Sequence, residues 1–234
     1  MQPTPIRVMK FGGTSVAGAA RLRTVADLVA AARTTHRVCV VASAMAGVTN
    51  LLVNDGRVPD PAAADRLMDT FRALHAEVVE ALAGELGPGA ASLRAELDEL
   101  EALGRRLLHG MALLEEGPPS VRAQVSSLGE RASCSILVAL LRARGLEPRY
   151  LDPVEYVRVE GDPLQARPCL AETGARFAGV KAGEGGLWVL PGFFGGDEQG
   201  RILSLGRGGS DHSAALAAAA LEADLLEIWT DVVG

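Results

Sequence analysis

The sequence predicts an α/β fold, a three-layer sandwich with an open, mostly parallel sheet, and three observations predict it. Short β-rich runs alternate along the chain with Ala/Leu-rich stretches at helical spacing, the pattern of a sheet covered by helices. Three turns rich in glycine or small residues follow strand-like runs: Lys10-Phe11-Gly12-Gly13-Thr14-Ser15, residues 43–50 (SAMAGVTN) and residues 206–213 (GRGGSDHS). Finally, 234 residues suffice to bury a sizeable core in one large domain.

The elements follow in order. Residues 6–11 form a short apolar run ended by Gly12-Gly13 and read as a strand. Thr14 and Ser15 are candidate N-caps for a helix whose buried stripe is Val25, Leu28, Val29 and Ala32, spaced i, i+3, i+4, i+7. Residues 37–42 (RVCVVA) are β-branched and bounded by Ser43, so they form a second strand, parallel to the first. A polar, Pro-bearing connection covers 54–64, and 65–115 is helical, broken near Gly84 to Gly89. A further helix is expected over 129–144, stopped by Gly145. Strands are expected at 148–151 and 187–190, with a glycine-heavy turn over 192–200 leading to 201–205. Residues 213–222 are Ala-rich helix and 225–229 the last strand.

Composition excludes several classes. Hydrophobic residues are 48% and charged residues 22% of the chain, which fits neither a disordered polymer nor a fibre. The net charge of -6 and 4% aromatics argue against nucleic acid as a partner. Cys39, Cys134 and Cys169 are odd in number and widely spaced, so a disulfide framework or zinc site is not expected. Each reads as a small buried hydrophobe. No signal peptide or membrane-length apolar window is visible, which predicts a cytoplasmic protein.

The chemistry is expected in the three turns. Ligands of parallel sheets bind beyond the carboxyl ends of the strands, so all three turns are expected to line one crevice. Glycines there let backbone amides approach an anion, and a following helix N-terminus adds partial positive charge. Lys10 contributes a mobile ammonium and Arg207 a planar fork suited to a carboxylate or phosphate. These are parts of a site that transfers phosphoryl groups by position and electrostatics. A Gly-Gly pair after a strand is commonly only a tight turn, and neither a Walker A string nor G-x-G-x-x-G is present. The run Ser210-Asp211-His212 lacks the nucleophile elbow of a hydrolase. His36, His75, His109 and His212 read as surface or packing residues.

Taken as whole strings, KFGGTSVA (10–17), SAMAGVTN (43–50), GER (129–131), GFFGGDEQGRILSLGRGGSD (192–211) and EIWTDVVG (227–234) resemble the ordered motifs of aspartokinases, in the amino acid kinase superfamily. The resemblance implies transfer of the ATP γ-phosphoryl group to the side-chain carboxylate of L-aspartate, the first step toward lysine, threonine and methionine. It also implies an eight-stranded, mostly parallel sheet. Lys10, Gly12 and Gly13 would hold the transferring phosphate. Ser43, Thr49, Glu130, Arg207 and Ser210 would surround aspartate, with Arg207 on its α-carboxylate. Asp211 would organise the centre near Lys10 and Mg²⁺, while Thr230 and Asp231 would begin the nucleotide wall. The acceptor carboxylate, with a reference pKa of about 3.9, is already ionised at pH 7, so no general base is needed. Asp211 is then an orienter of cations, favoured in its ionised form by a place just after Ser210 as N-cap. No protein-only metal cluster is expected.

Aspartokinase sequences continue beyond the WTDV segment into further nucleotide-binding and regulatory ACT regions. The expectation is therefore an amino acid kinase catalytic domain over 1–234, with its sheet incomplete at the C-terminus and no ACT domain. Such a sheet would expose an edge strand and allow homo-oligomers. The alternatives are a non-catalytic amino-acid-binding module of kinase ancestry, or a kinase for another amino acid.

Overall fold

The computed structural model describes residues 4–53, 57–183 and 185–230. Its strands are β1 (Ile6–Phe11), β2 (Arg37–Ala42), β3 (Arg149–Tyr150), β4 (Val159–Asp162), β5 (Gln165–Pro168), β6 (Leu187–Pro191), β7 (Phe194–Gly196), β8 (Ile202–Ser204) and β9 (Leu225–Trp229). Its helices are α1 (Ala19–Arg33), α2 (Val48–Val53), α3 (Pro61–Leu86), α4 (Gly89–Leu114), α5 (Pro119–Ala143), α6 (Pro153–Tyr156), α7 (Leu170–Ala182) and α8 (Gly209–Leu221). The main sheet has the order β3-β6-β2-β1-β9, and every neighbouring pair is parallel.

Its inner strands β1, β2 and β6 read as near-continuous apolar runs because both faces are covered. Alternation sorts their side chains between two cores. Met9, Phe11, Val38, Val40, Leu187 and Val189 pack with residues of α1, α3, α4 and α5. Ile6, Val8, Cys39, Val41, Trp188 and Leu190 pack with α7 and α8. These are the three layers the sequence predicts. The same alternation puts Lys10 on the α8 face, in step with Ile6 and Val8. The long helices start and stop as local chemistry requires. The Asp60 carboxylate accepts a bond from the Ala63 amide at 2.7 Å with Pro61 at the first helical position, and Gly87, at φ +52°, separates α3 from α4.

Several expectations change. The main sheet has five strands among the described residues, not eight. Residues 202–204 lie outside it, in an antiparallel ribbon with β7, inside the segment read as a turn. Thr14 and Ser15 do not cap α1: they lie in a short 3-10 helix over Gly13–Val16, and Gly18 is the N-cap. The helix expected over 129–144 begins ten residues earlier at Pro119, where proline at the first helical position forgoes no intrahelical bond. Ser210 is likewise not an N-cap, because α8 starts at Gly209 behind Gly208, at φ +73°. The ribbon β4–β5 and helices α2, α6 and α7 were not legible. Cys39 and Cys134 are buried, whereas Cys169 is partly exposed ahead of α7. Among the described residues no helix is long and apolar enough to cross a membrane.

Candidate active site

Two of the three turns meet around a cavity of about 540 Å³ beyond the carboxyl end of β2. Ser43, Thr49, Glu130, Arg207 and Ser210, drawn from three distant segments, all line it. Ser43 follows β2, and its carbonyl accepts a 2.7 Å bond from the Ser133 hydroxyl, which ties the turn to α5. Thr49 projects from α2, whose first residue Val48 is buried.

Glu130 arrives through a close approach. A Cβ on the preceding Gly129 would stand 2.7 Å from the Ala44 Cβ and 2.9 Å from the Val48 Cγ1, so only glycine lets α5 press against the turn there. Gly192 plays the same part for Ser210, where a Cβ would come within 2.7 Å of the serine Cβ. Arg207 sits exposed between Gly206 and Gly208, both at positive φ.

Among the charged residues lining this cavity, Glu130 is the buried one. It lies in mid-helix, 1% exposed, and its Oε2 has no hydrogen-bond partner. Burial pushes its carboxyl up to about 8, against the opposing pull of the Glu130 and Ala44 backbone amides. At neutral pH it is largely protonated, and a ligand ammonium would supply the charge that lets it ionise.

The first turn stands beside this cavity rather than in it, which corrects the expected single crevice. Lys10, 6% exposed, pairs with Asp211 at 2.6 Å. Neither Lys10 nor Asp211 lines the cavity, although Asp211 adjoins Ser210, which does. Gly13 backs onto the second turn: a Cβ there would stand 2.8 Å from the Ala44 carbonyl oxygen, and its own carbonyl accepts from the Ala46 amide at 3.1 Å. The Gly12 amide donates to the Trp229 carbonyl at 3.2 Å, joining the turn to the end of β9. Thr230 follows, exposed, and Asp231 lies outside the described residues. The strand order reverses between β1 and β9, the usual place for a ligand crevice in an open α/β sheet.

Other lining residues were not anticipated. Arg122 and Ser126 precede Glu130 by eight and four residues on α5, so helical periodicity from Glu130 would have found them. Phe193 also lines the cavity and adopts φ +80°, rare for a residue with a side chain. Its backbone packs against Gly209, where a Cβ would meet the Phe193 Cα at 3.1 Å. Of the histidines, His212 is exposed and His75 is buried against Phe71, with ring centroids 4.3 Å apart.

A parallel α/β sandwich has an open cavity lined by several polar side chains, with a lysine–carboxylate pair beside it, at the carboxyl ends of its strands, where the ligand sites of such folds lie. The model of the amino acid kinase family matches residues 5–234, and the chain belongs to that family. It is 35% identical over 237 residues to lysine-sensitive aspartokinase 3 of Escherichia coli, covering 98% of this chain and 49% of that protein. It is 31% identical over 241 residues to a bifunctional aspartokinase/homoserine dehydrogenase of Haemophilus influenzae, covering 98% of this chain and 28% of that protein. Among solved structures, E. coli aspartokinase III in complex with aspartate and ADP superposes with a TM-score of 0.89 at 34% identity, over 98% of this chain and 50% of that one. The chain thus spans half or less of the length of these relatives.

Proposed function

We propose that this chain carries the acceptor pocket and the phosphate-facing turn of a kinase that converts L-aspartate and ATP to 4-phospho-L-aspartate and ADP, the first step toward lysine, threonine and methionine. One observation carries the reading: five polar residues from three distant segments gather in one cavity with charges complementary to aspartate. Arg207 offers a fork for the α-carboxylate, Glu130 a buried carboxylate for the ammonium, and Ser43, Thr49 and Ser210 hydroxyls for the remaining oxygens. The relatives named above support the choice of aspartate and nucleotide.

In the reaction a side-chain carboxylate oxygen of aspartate attacks the γ-phosphorus, and the bond from that phosphorus to the β–γ bridging oxygen breaks. The electron pair leaves on ADP. No proton moves, since the acceptor is already ionised. The barrier is repulsion between two anions, which Lys10 and backbone donors of its turn offset. Mg²⁺ fits this arrangement. It binds through one or two carboxylates together with phosphate oxygens and water, and Asp211, with a side chain 50% exposed beside Lys10, is a carboxylate of that kind. The ion would neutralise charge on the transferring phosphates.

The test is a hydroxamate assay with aspartate, ATP and Mg²⁺, with glutamate and N-acetylglutamate as parallel acceptors. Hydroxamate from aspartate alone is the expected result. Its absence from the folded chain, or equal product from glutamate or N-acetylglutamate, overturns the proposal.

A further inference from the structure

A second cavity, of about 490 Å³, lies far from the turns, between the first half of α4, the second half of α5 and the edge strand β3. Its size is that of a small-molecule site. Leu86, Leu93 and Val138 give it an apolar floor. Its charges are divided between two ends. At one, Glu96 accepts a 2.5 Å bond from the buried Ser135 hydroxyl, which fixes the carboxylate against α5. Tyr150 lines the same cavity with no hydrogen bond to its hydroxyl among the described residues, and burial, with smaller contributions from nearby acidic groups, raises that phenol above its usual range, so it stays a donor.

Arg142 marks the other end. It follows Ser135 by seven residues, about 10 Å along α5 at 1.5 Å per residue. Among the described residues its guanidinium makes no ion pair or hydrogen bond, so it does not neutralise Glu96. An anchored anion and an unpaired cation, both on exposed residues, thus line one apolar-floored groove.

We propose that this groove is a second ligand site, for a zwitterion whose ammonium and carboxylate ends are joined by an aliphatic stem. The ammonium meets Glu96 and the carboxylate meets Arg142, while the stem covers the leucine and valine floor. A ligand whose two charges sit on one carbon, such as glycine, would leave the apolar floor uncovered.

The probe is 6-aminohexanoate, titrated calorimetrically into the 234-residue chain, with hexanoate and hexylamine each lacking one charged end. Saturable one-to-one binding is expected, at least about tenfold tighter than either control, the scale of one charge-assisted contact. Arg142→Ala and Glu96→Gln should each weaken it about tenfold; Arg142→Lys should restore most of it, and Arg207→Ala should leave it unchanged. No saturable binding, equal binding of the single-charge controls, or loss in Arg207→Ala overturns the proposal. The three-probe comparison on the wild-type chain decides the matter even where a variant fails to fold.

Discussion

The acceptor cavity and the Lys10 turn are served by adjacent residues of α8, Ser210 and Asp211, yet they differ in how they are built. The cavity is walled by segments from across the chain and holds a carboxylate that is 1% exposed. The Lys10 turn adjoins β9, the outermost strand of the sheet among the described residues, with Leu225, Ile228 and Trp229 at 41%, 52% and 36% exposure. In the cavity, burial makes the Glu130 carboxyl expensive to ionise, while Arg207 is exposed. At the turn, an ion pair with one partner half exposed contributes little stability by itself, so its worth lies in where it points the ammonium.

That contrast sets opposite expectations for substitutions on the two sides. The largest effect belongs to the turn. Lys10→Ala should lower turnover in the hydroxamate assay about a thousandfold, the range for losing a charge at the transferring group, while aspartate binding stays within about twofold. A parallel loss of aspartate binding would merge the two halves into one.

Next comes Glu130→Gln, which should weaken aspartate binding about thirtyfold or more by removing the partner of its ammonium. The same substitution should change stability in the other direction. The folded protein holds the Glu130 proton up to about pH 8, against a reference of 4.5. Its stabilising share is therefore complete below the reference value and is lost as pH rises through about 8. Urea unfolding of the wild type should accordingly weaken over that interval more than that of Glu130→Gln. Aspartate affinity should rise as pH climbs from neutral toward about 8, because the bound ammonium favours the ionised carboxylate, and the variant should lose this dependence.

Gly129→Ala tests the packing that delivers Glu130. Its methyl would overlap Ala44 and Val48, so a loss of about 1–3 kcal/mol in urea unfolding is expected, together with weaker aspartate binding. The smallest effect is Arg207→Lys, which should raise the KM for aspartate about tenfold with little change in kcat, since an ammonium cannot reproduce the fork.

The layers and the residues that line the cavity were legible in the sequence for different reasons. Strands such as residues 37–42 and 187–191 are buried on both faces, so their apolar runs stand out, and the long helices α3 and α4 carry a clear break at Gly87. Ser43, Thr49, Glu130, Arg207 and Ser210 were singled out through whole motifs, and all five line one cavity. The pairing of Lys10 with Asp211 beside the cavity was not legible, because the turn's composition does not encode which sheet face Lys10 takes. The ribbons β4–β5 and β7–β8 were hidden because they are short and rich in glycine and charge. Helix α7 was hidden by two glycines inside its span.

The central claim is that the cavity between Glu130 and Arg207 takes an amino acid with an acidic side chain, and calorimetric titration of the 234-residue chain with L-aspartate tests it most directly. Saturable binding at one site, weakened in both Glu130→Gln and Arg207→Ala but kept in Lys10→Ala, is the predicted result. No binding, or binding indifferent to Glu130 and Arg207, would contradict the account.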